Sequence, residues 1–244
     1  MRIPRIYIDA PLQTGVELQL PGQAGEHLSR VLRLTVGAPL LLFNGDGCEY
    51  PSTLQRIGKR EVWARVEGEG VAQQRESPLQ LTLAQGIARG DKMDFILQKA
   101  TELGVQRIVP LLTERTEVKL TGERSERRMA HWRAVISSAC EQSGRTRLPY
   151  LSEPMALPAW AAALDNSNGV RLSLDPRASA TPRSLATLGA ATLVIGPEGG
   201  LSSKDLMVVE VAGFRGMRLG PRILRTETAG LAAIAALQAV HGDF

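Results

Sequence analysis

Cysteine is nearly absent from this 244-residue chain. Only Cys48 and Cys140 occur, far apart and in no Cys-x-x-Cys spacing, so a disulfide framework and a zinc ribbon are excluded and two inert thiols in a reducing compartment are expected. The three histidines have no metal-ligand spacing either. No run of apolar residues approaches the length of a membrane span, and the opening Met1-Arg2-Ile3-Pro4-Arg5 lacks the apolar core of a signal peptide. Internal repeats and low-complexity tracts are missing as well. A cytoplasmic protein with no membrane segment and no metal is therefore expected. Two nucleotide signatures are also lacking: no Gly-Lys-Ser/Thr closes a P-loop, and no glycine turn fits G-x-G-x-x-G.

What is present is an ordinary globular composition, 43% apolar and 22% charged, on a chain long enough for a small domain plus a medium one. The net charge is only +4, yet the basic residues are overwhelmingly arginine, whose planar fork grips phosphate and stacks on bases better than lysine does. Residues 1–72 alternate short apolar stretches (Ile6-Tyr7-Ile8, Val16 to Leu20, Pro39 to Phe43, Val62 to Val66) with turns such as Asn44-Gly45-Asp46-Gly47, the pattern of a small β-barrel. One helix is expected near Gly25 to Leu32. A polar stretch from Gly68 to Pro78 suits a linker. From there strand and helix alternate: Leu79 to Ala84, Asp91 to Leu103, Arg107 to Leu112, Glu123 to Gln142, Leu157 to Leu164 and Val170 to Leu174. That alternation indicates a largely parallel α/β sheet over residues 73–244.

Two glycine-bearing turns near the C-terminus each lie between an apolar run and a helix. The first follows Leu193-Val194-Ile195 and reads Gly196-Pro197-Glu198-Gly199-Gly200-Leu201-Ser202, with Ser202 and Asp205 spaced as a capping box. The second reads Leu219-Gly220-Pro221-Arg222-Ile223-Leu224-Arg225-Thr226-Glu227-Thr228-Ala229-Gly230 and enters an Ala- and Leu-rich helix. Glycines at such turns let the backbone approach a ligand, and free helix N–H groups favour polar or anionic groups. Glu198 among those N–H groups repels a polyphosphate but accepts a neutral or cationic nucleoside such as S-adenosylmethionine.

Together these two turns resemble the cofactor loops of SPOUT-class RNA methyltransferases, and specifically the 16S ribosomal RNA uridine-N3 methyltransferase family. The resemblance extends upstream through His27-Leu28-Ser29-Arg30-Val31-Leu32-Arg33-Leu34, Gln98 to Val105 and Glu141-Gln142-Ser143-Gly144-Arg145, and so covers nearly the whole chain. It implies a PUA-like RNA-binding β-barrel over 1–72 and a SPOUT α/β domain over 73–244 whose last segment is threaded into a trefoil knot, a rare exception to unknotted topology. It implies a homodimer, S-adenosylmethionine as cofactor, and 16S ribosomal RNA or the small ribosomal subunit as partner. Carried over by position, the cofactor contacts are Leu174, Asp175 and Pro176; Ile195, Gly196, Pro197, Glu198, Gly199 and Gly200; and Leu219, Gly220, Ile223, Leu224, Arg225, Thr226, Thr228 and Ala229.

The chemistry narrows the catalytic candidates. Uracil N3 is a weakly acidic imide, so its proton must leave and the anion spread over O2 and O4 must be stabilised. Arg225, at the start of the last helix, is the candidate for the second task. Glu227 either accepts the proton through a water or orients Arg225 by a salt bridge. For RNA, the arginine clusters nominate Arg2, Arg5, Arg30 and Arg33 with His27, and Arg145 with Arg147 beside a glycine turn. A solvated charged face is the alternative for each cluster. A ribose 2′-O-methyltransferase of the same fold and a non-catalytic RNA-binding module are the rival functions.

Overall fold

The computed structural model describes residues 3–58, 61–118, 121–165 and 169–244, and contacts divide the chain into two units. The first takes in Met1–Glu76 together with Ser137–Leu148, a later return that the strand pattern of residues 1–72 does not reveal. Its strands are β1 (Arg5–Tyr7), β2 (Glu17–Gln19), β3 (Pro39–Phe43), β4 (Cys48–Ile57), β5 (Val62–Val66) and β6 (Val71–Ala72). They pair in the order β1-β3-β4-β5-β2, with β6 on β4; β1 runs parallel to β3 and the other pairs are antiparallel. Alternation along β5 buries Val62, Ala64 and Val66 and leaves Arg65 outside, as period-2 patterning requires. Leu28, Leu40, Leu42 and Leu54 complete the core.

The expected helix near Gly25 starts earlier and changes type. Helix α1 (Gly22–Glu26) gives way to a π-helical turn, His27–Val31, in which the Leu32 N–H reaches back five residues to the His27 carbonyl at 3.0 Å. Just beyond it Arg33 holds a left-handed φ of 52°, the one positive φ at a non-glycine position among the described residues.

The second unit, Ser77–Ile136 with Pro149–Phe244, is α/β. In chain order it contains β7 (Gln80–Gly86), α2 (Asp91–Glu102), β8 (Arg107–Leu112), most of α3 (Glu123–Ser143), β9 (Tyr150–Leu151), β10 (Met155–Ala156), α4 (Leu157–Ala162), β11 (Val170–Leu174), β12 (Ala190–Ile195), α5 (Ser203–Val211), β13 (Arg215–Met217) and α6 (Thr226–His241). All its strands are parallel, ordered β10-β8-β7-β12-β11-β13 with β9 on β8. The central strand β12 reads as a near-continuous apolar run, and its neighbour β7 buries Leu81, Leu83 and Ala84 together with the polar Gln85, as strands inside a parallel sheet do.

Local signals set the boundaries of the helices. Met93, Ile96, Leu97 and Ala100 keep helical spacing and form the buried face of α2, which ends at Gly104 in the left-handed region (φ 85°). The Ser202–Asp205 capping box is formed reciprocally, at 3.1 and 3.0 Å, and starts α5. Helix α6 packs against α2, β7 and β12, burying Ala229, Gly230, Ala233, Ile234, Leu237 and Gln238. Gln238 is satisfied there by Ser77 Oγ (2.7 Å) and the Leu103 carbonyl (2.9 Å). No helix among the described residues is long and apolar enough to cross a membrane, and no group of three His, Cys, Asp or Glu among them could hold a metal ion.

Candidate active site

The three loops nominated from the sequence leave the carboxyl ends of β11, β12 and β13, the edge where parallel α/β sheets bind ligands. Two of them are tied directly. Thr226 Oγ1 donates to the Gly196 carbonyl at 2.6 Å, which joins the first residue of α6 to the loop after β12. Thr226 sits there because Arg225 is the residue preceding the helix, and the Arg225 carbonyl accepts from Thr228 N–H (2.9 Å) and Ala229 N–H (2.8 Å).

The first loop is tight where glycine demands it. A Cβ at Gly196 would lie 2.7 Å from the backbone of Gly200 and Leu201, so no other residue fits. Gly200 has a φ of 69° with open space around it, and its N–H closes the turn on the Pro197 carbonyl at 2.8 Å. Gly199 is different: a Cβ there meets only Arg115 side-chain carbons, at 3.2 Å, and Arg115 also donates to the Gly199 carbonyl at 2.6 Å. Ile195 is buried at the strand end, and Leu174, Asp175 and Pro176 follow β11 with the Asp175 N–H on the Met217 carbonyl (3.1 Å). The Arg177 backbone N–H holds the Asp175 carboxyl below its ordinary pKa.

Pro176, Leu219, Gly220 and Pro221 line a cavity of about 610 Å³ together with Arg183, Arg218 and the Ala236–Val240 end of α6. That volume suits a nucleoside-sized ligand. Leu224 is half-buried, whereas Ile223, 89% exposed, holds an apolar side chain out beside this loop.

The charges differ from the sequence expectation in one respect. Arg225 is exposed, and its guanidinium has no hydrogen bond or ion pair among the described residues. Glu227 does not orient it. Its ionic partner is Lys92, with Nζ 3.9 Å from Oε2, a buried oxygen that accepts no hydrogen bond among the described residues. The reason is geometric: Lys92 enters from the first turn of α2 and also lies 3.5 Å from Glu198. Burial works to raise the Glu198 pKa, but the Arg89 N–H at 3.0 Å and the Lys92 charge outweigh it and hold the carboxyl below its usual value.

Gln85, Arg89, Lys92 and Arg115 were all missed by motif reading: Gln85 is at the end of β7, Arg89 in the segment after it, Lys92 in the first turn of α2 and Arg115 just beyond β8, and none belongs to the two glycine turns that were read. The rule that ligands gather at the carboxyl ends of parallel strands was the signal that could have found them.

The RNA candidates separate into two groups. Arg5 and Arg145 are corrections: both are buried in the first unit. Arg5 Nε pairs with Glu49 at 2.6 Å, and its other nitrogens donate to the carbonyls of Cys140 (2.5 Å), Glu141 (3.0 Å) and Arg145 (2.9 Å). Arg145 pairs with Glu76 at 2.5 Å. Guanidinia fixed in this way are structural and leave no fork for a phosphate. His27, Arg30 and Arg33 are exposed on and just after the π-helical turn, with Arg30 paired to Glu26, and Arg147 is exposed beside Gly47. Arg2 lies outside the described residues. Burial pushes the Cys140 thiol up to about 12, which leaves no thiolate at neutral pH.

Comparison with known proteins decides the family. Residues 75–238 match a family model described as an RNA methyltransferase domain, and residues 20–67 match an RNA methyltransferase PUA domain. A ribosomal RNA small subunit methyltransferase E from Buchnera aphidicola (Schizaphis graminum strain) is 33% identical over 99% of this chain and 98% of its own length. The chain belongs to this RNA methyltransferase family. Within the family, the protein of the same name from Bacillus subtilis is 29% identical over 89% of this chain and 88% of its own. Among solved family structures, a putative methyltransferase from Legionella pneumophila in complex with SAM superposes over 100% of both chains with a TM-score of 0.94 at 40% identity. The small subunit methyltransferase E from Neisseria gonorrhoeae, bound to S-adenosyl methionine, gives 0.89 at 36%, again over 100% of both chains. The chain thus carries a PUA domain, matched within the first unit, and a methyltransferase domain, whose match also runs through Ser137–Leu148.

Proposed function

We propose that this protein transfers a methyl group from S-adenosylmethionine to N3 of a uridine in 16S ribosomal RNA. The observation that carries the reading is the junction of the two glycine loops at Thr226 and Gly196 on the carboxyl edge of the sheet, in a chain that matches cofactor-bound relatives from end to end. The residues present fit that cofactor: the first loop has open space over Gly200, no polyphosphate signature, and a carboxylate kept ionised at Glu198. Leu174 to Pro176, Ile195 to Gly200 and Leu219 to Ala229 are the residues that would hold it. When bound it supplies an electrophilic methyl on sulfur.

The protein's own part is to place N3 and stabilise its anion. Arg225 presents a positive charge unpaired among the described residues at the N-terminus of α6, where it and the free helix N–H groups act together on an oxyanion at O2 or O4. Glu227, paired with Lys92, is the acceptor that remains for the N3 proton once its role toward Arg225 is removed. The threading of the last segment into a knot is supported by its path: β13 lies at the far edge beyond β11, yet the chain returns to Gly196 at the end of β12 before α6 begins.

Homodimerisation through α6 is supported by its second apolar stripe. Leu231, Ala232, Ala235 and Ala236 are half-buried and Val240 is exposed on a helix whose other face already fills the core. Sedimentation at low micromolar concentration is expected to give a dimer. A monomer there, with S-adenosylmethionine still bound, would remove α6 as an interface.

The first unit adds RNA affinity without chemistry through His27, Arg30, Arg33 and Arg147. Deleting residues 1–72 is a poor test, because it would strip Ser137–Leu148 of its packing partners. Arg30→Gln and Arg33→Gln are the better variants. Each should flatten the slope of log affinity against log salt by about 0.7 to 0.9 if it contacts a phosphate. Unchanged slopes would make this patch a solvated face. The reaction itself is tested by digesting treated 16S RNA to nucleosides: a base-methylated uridine supports the reading, and a ribose-methylated nucleoside overturns it.

A further inference from the structure

We propose that Gln85 is a positioning residue that, with Thr226, clasps the two cofactor loops into one site. The inference rests on the cofactor reading above and names a residue that lies outside both glycine turns. Gln85 is fully buried at the end of β7. Its amide nitrogen donates to the Gly86 carbonyl and to Thr226 Oγ1, both at 2.9 Å, and lies 3.4 Å from the Gly196 carbonyl. Thr226 in turn donates its own proton to Gly196. The amide orientation is therefore set: two carbonyls and a hydroxyl oxygen that spends its proton elsewhere all face the nitrogen, which leaves Oε1 without a hydrogen-bond partner among the described residues, against the Gly230 side of α6. A buried acceptor left unsatisfied is costly, and the two N–H donations, to Gly86 and Thr226, offset that loss.

The backbone around the clasp has no slack. A Cβ on Gly86 would meet Pro197 at 2.6 Å, so β7 and the first loop are in direct backbone contact. Turning the Gly196 carbonyl inward, toward Thr226 and Gln85, anchors the start of the Pro197–Gly200 turn, whose first residue has no N–H of its own. The second loop is fixed by the same oxygen, because Thr226 is the first residue of α6 and Leu224 and Arg225 lead directly into it. A ligand that bridges both loops then binds a preorganised surface, whereas without the clasp it must order the two loops itself.

Calorimetric titration of the full-length protein with S-adenosylmethionine tests this. Thr226→Val keeps the shape and removes the hydroxyl; its dissociation constant should rise about tenfold, from the loss of a buried hydrogen bond at the junction. Thr226→Ser should restore binding to within about threefold. Gln85→Met should weaken binding by a similar factor, and the double variant Gln85→Met with Thr226→Val should lose less than the two singles combined, as expected for groups acting as a unit. Turnover at saturating cofactor should change far less than cofactor KM, which a general loss of folding would not produce. Wild-type protein that fails to bind S-adenosylmethionine overturns the cofactor reading itself. Wild-type binding with unchanged Thr226→Val and Gln85→Met affinities, or additive losses in the double variant, overturns the clasp.

Discussion

Arg225→Lys should lower turnover by roughly 10- to 1,000-fold, since losing one oxyanion donor outright costs about 100- to 1,000-fold and lysine keeps the charge, while leaving S-adenosylmethionine affinity nearly unchanged. Lysine keeps the charge but not the planar fork, whose fixed N–H directions hold a donor on the one uracil oxygen it faces where a flexible ammonium does not. The structure strengthens the expectation, because the Arg225 guanidinium is uncommitted among the described residues and stands at the start of α6. The residual rate should rise with pH as hydroxide takes over proton removal. Normal turnover in the variant, or full rescue by excess cofactor, would assign Arg225 to cofactor binding instead.

Arg5→Met should be the most damaging single change in the first unit, lowering its stability by about 3–5 kcal/mol, the usual cost of breaking a buried ion pair from one side. The Glu49 carboxylate would keep only Arg75, at 3.5 Å, and the Cys140, Glu141 and Arg145 carbonyls would lose their donor. Arg5→Lys should recover little, because one ammonium cannot reach a carboxylate and three carbonyls at once. Hydrogen exchange of the β3–β5 amides measures the opening of this unit without requiring the whole chain to unfold in one step. Undiminished protection would mean that the guanidinium is dispensable to the fold and would reopen its assignment to RNA.

These two arginines mark the limits of what the sequence could reveal. Strand and helix alternation after residue 78 located β7, α2, β8, α3 and β11 because each carries its own periodicity, and the Ser202–Asp205 spacing located the start of α5 because capping is local. Among the N-terminal strands, β1, β2, β3 and β5 were legible in the same way, whereas β4, Cys48–Ile57, and β6, inside the stretch read as a linker, were not. The assignment of Ser137–Leu148 to the first unit was not, since helix periodicity runs through α3 without a break and nothing local marks where its neighbours change. That one long-range fact turns Arg5 and Arg145 from surface charges into buried structural ones. Arg225 was readable because it sits inside a motif; Gln85, Lys92 and Arg115 were not, because only the sheet order, with β7 beside β12 and β8 next to β7, brings the ends of these strands and the start of α2 to the same edge. The pairing of Glu227 with Lys92 instead of Arg225 has the same origin. Sequence neighbours two apart at a helix start diverge around its axis, and the nearer cation arrives from another helix.

The most direct test of the account is mass spectrometry of nucleosides from ribosomal RNA of cells lacking this protein, compared with the same RNA after incubation with the pure protein and S-adenosylmethionine. The account predicts that one base-methylated uridine, modified at N3, is missing from the small-subunit RNA and returns on incubation with wild-type protein, but only weakly with Arg225→Lys. A deficit of a ribose-methylated nucleoside, or RNA indistinguishable from that of the parent cells, would contradict it.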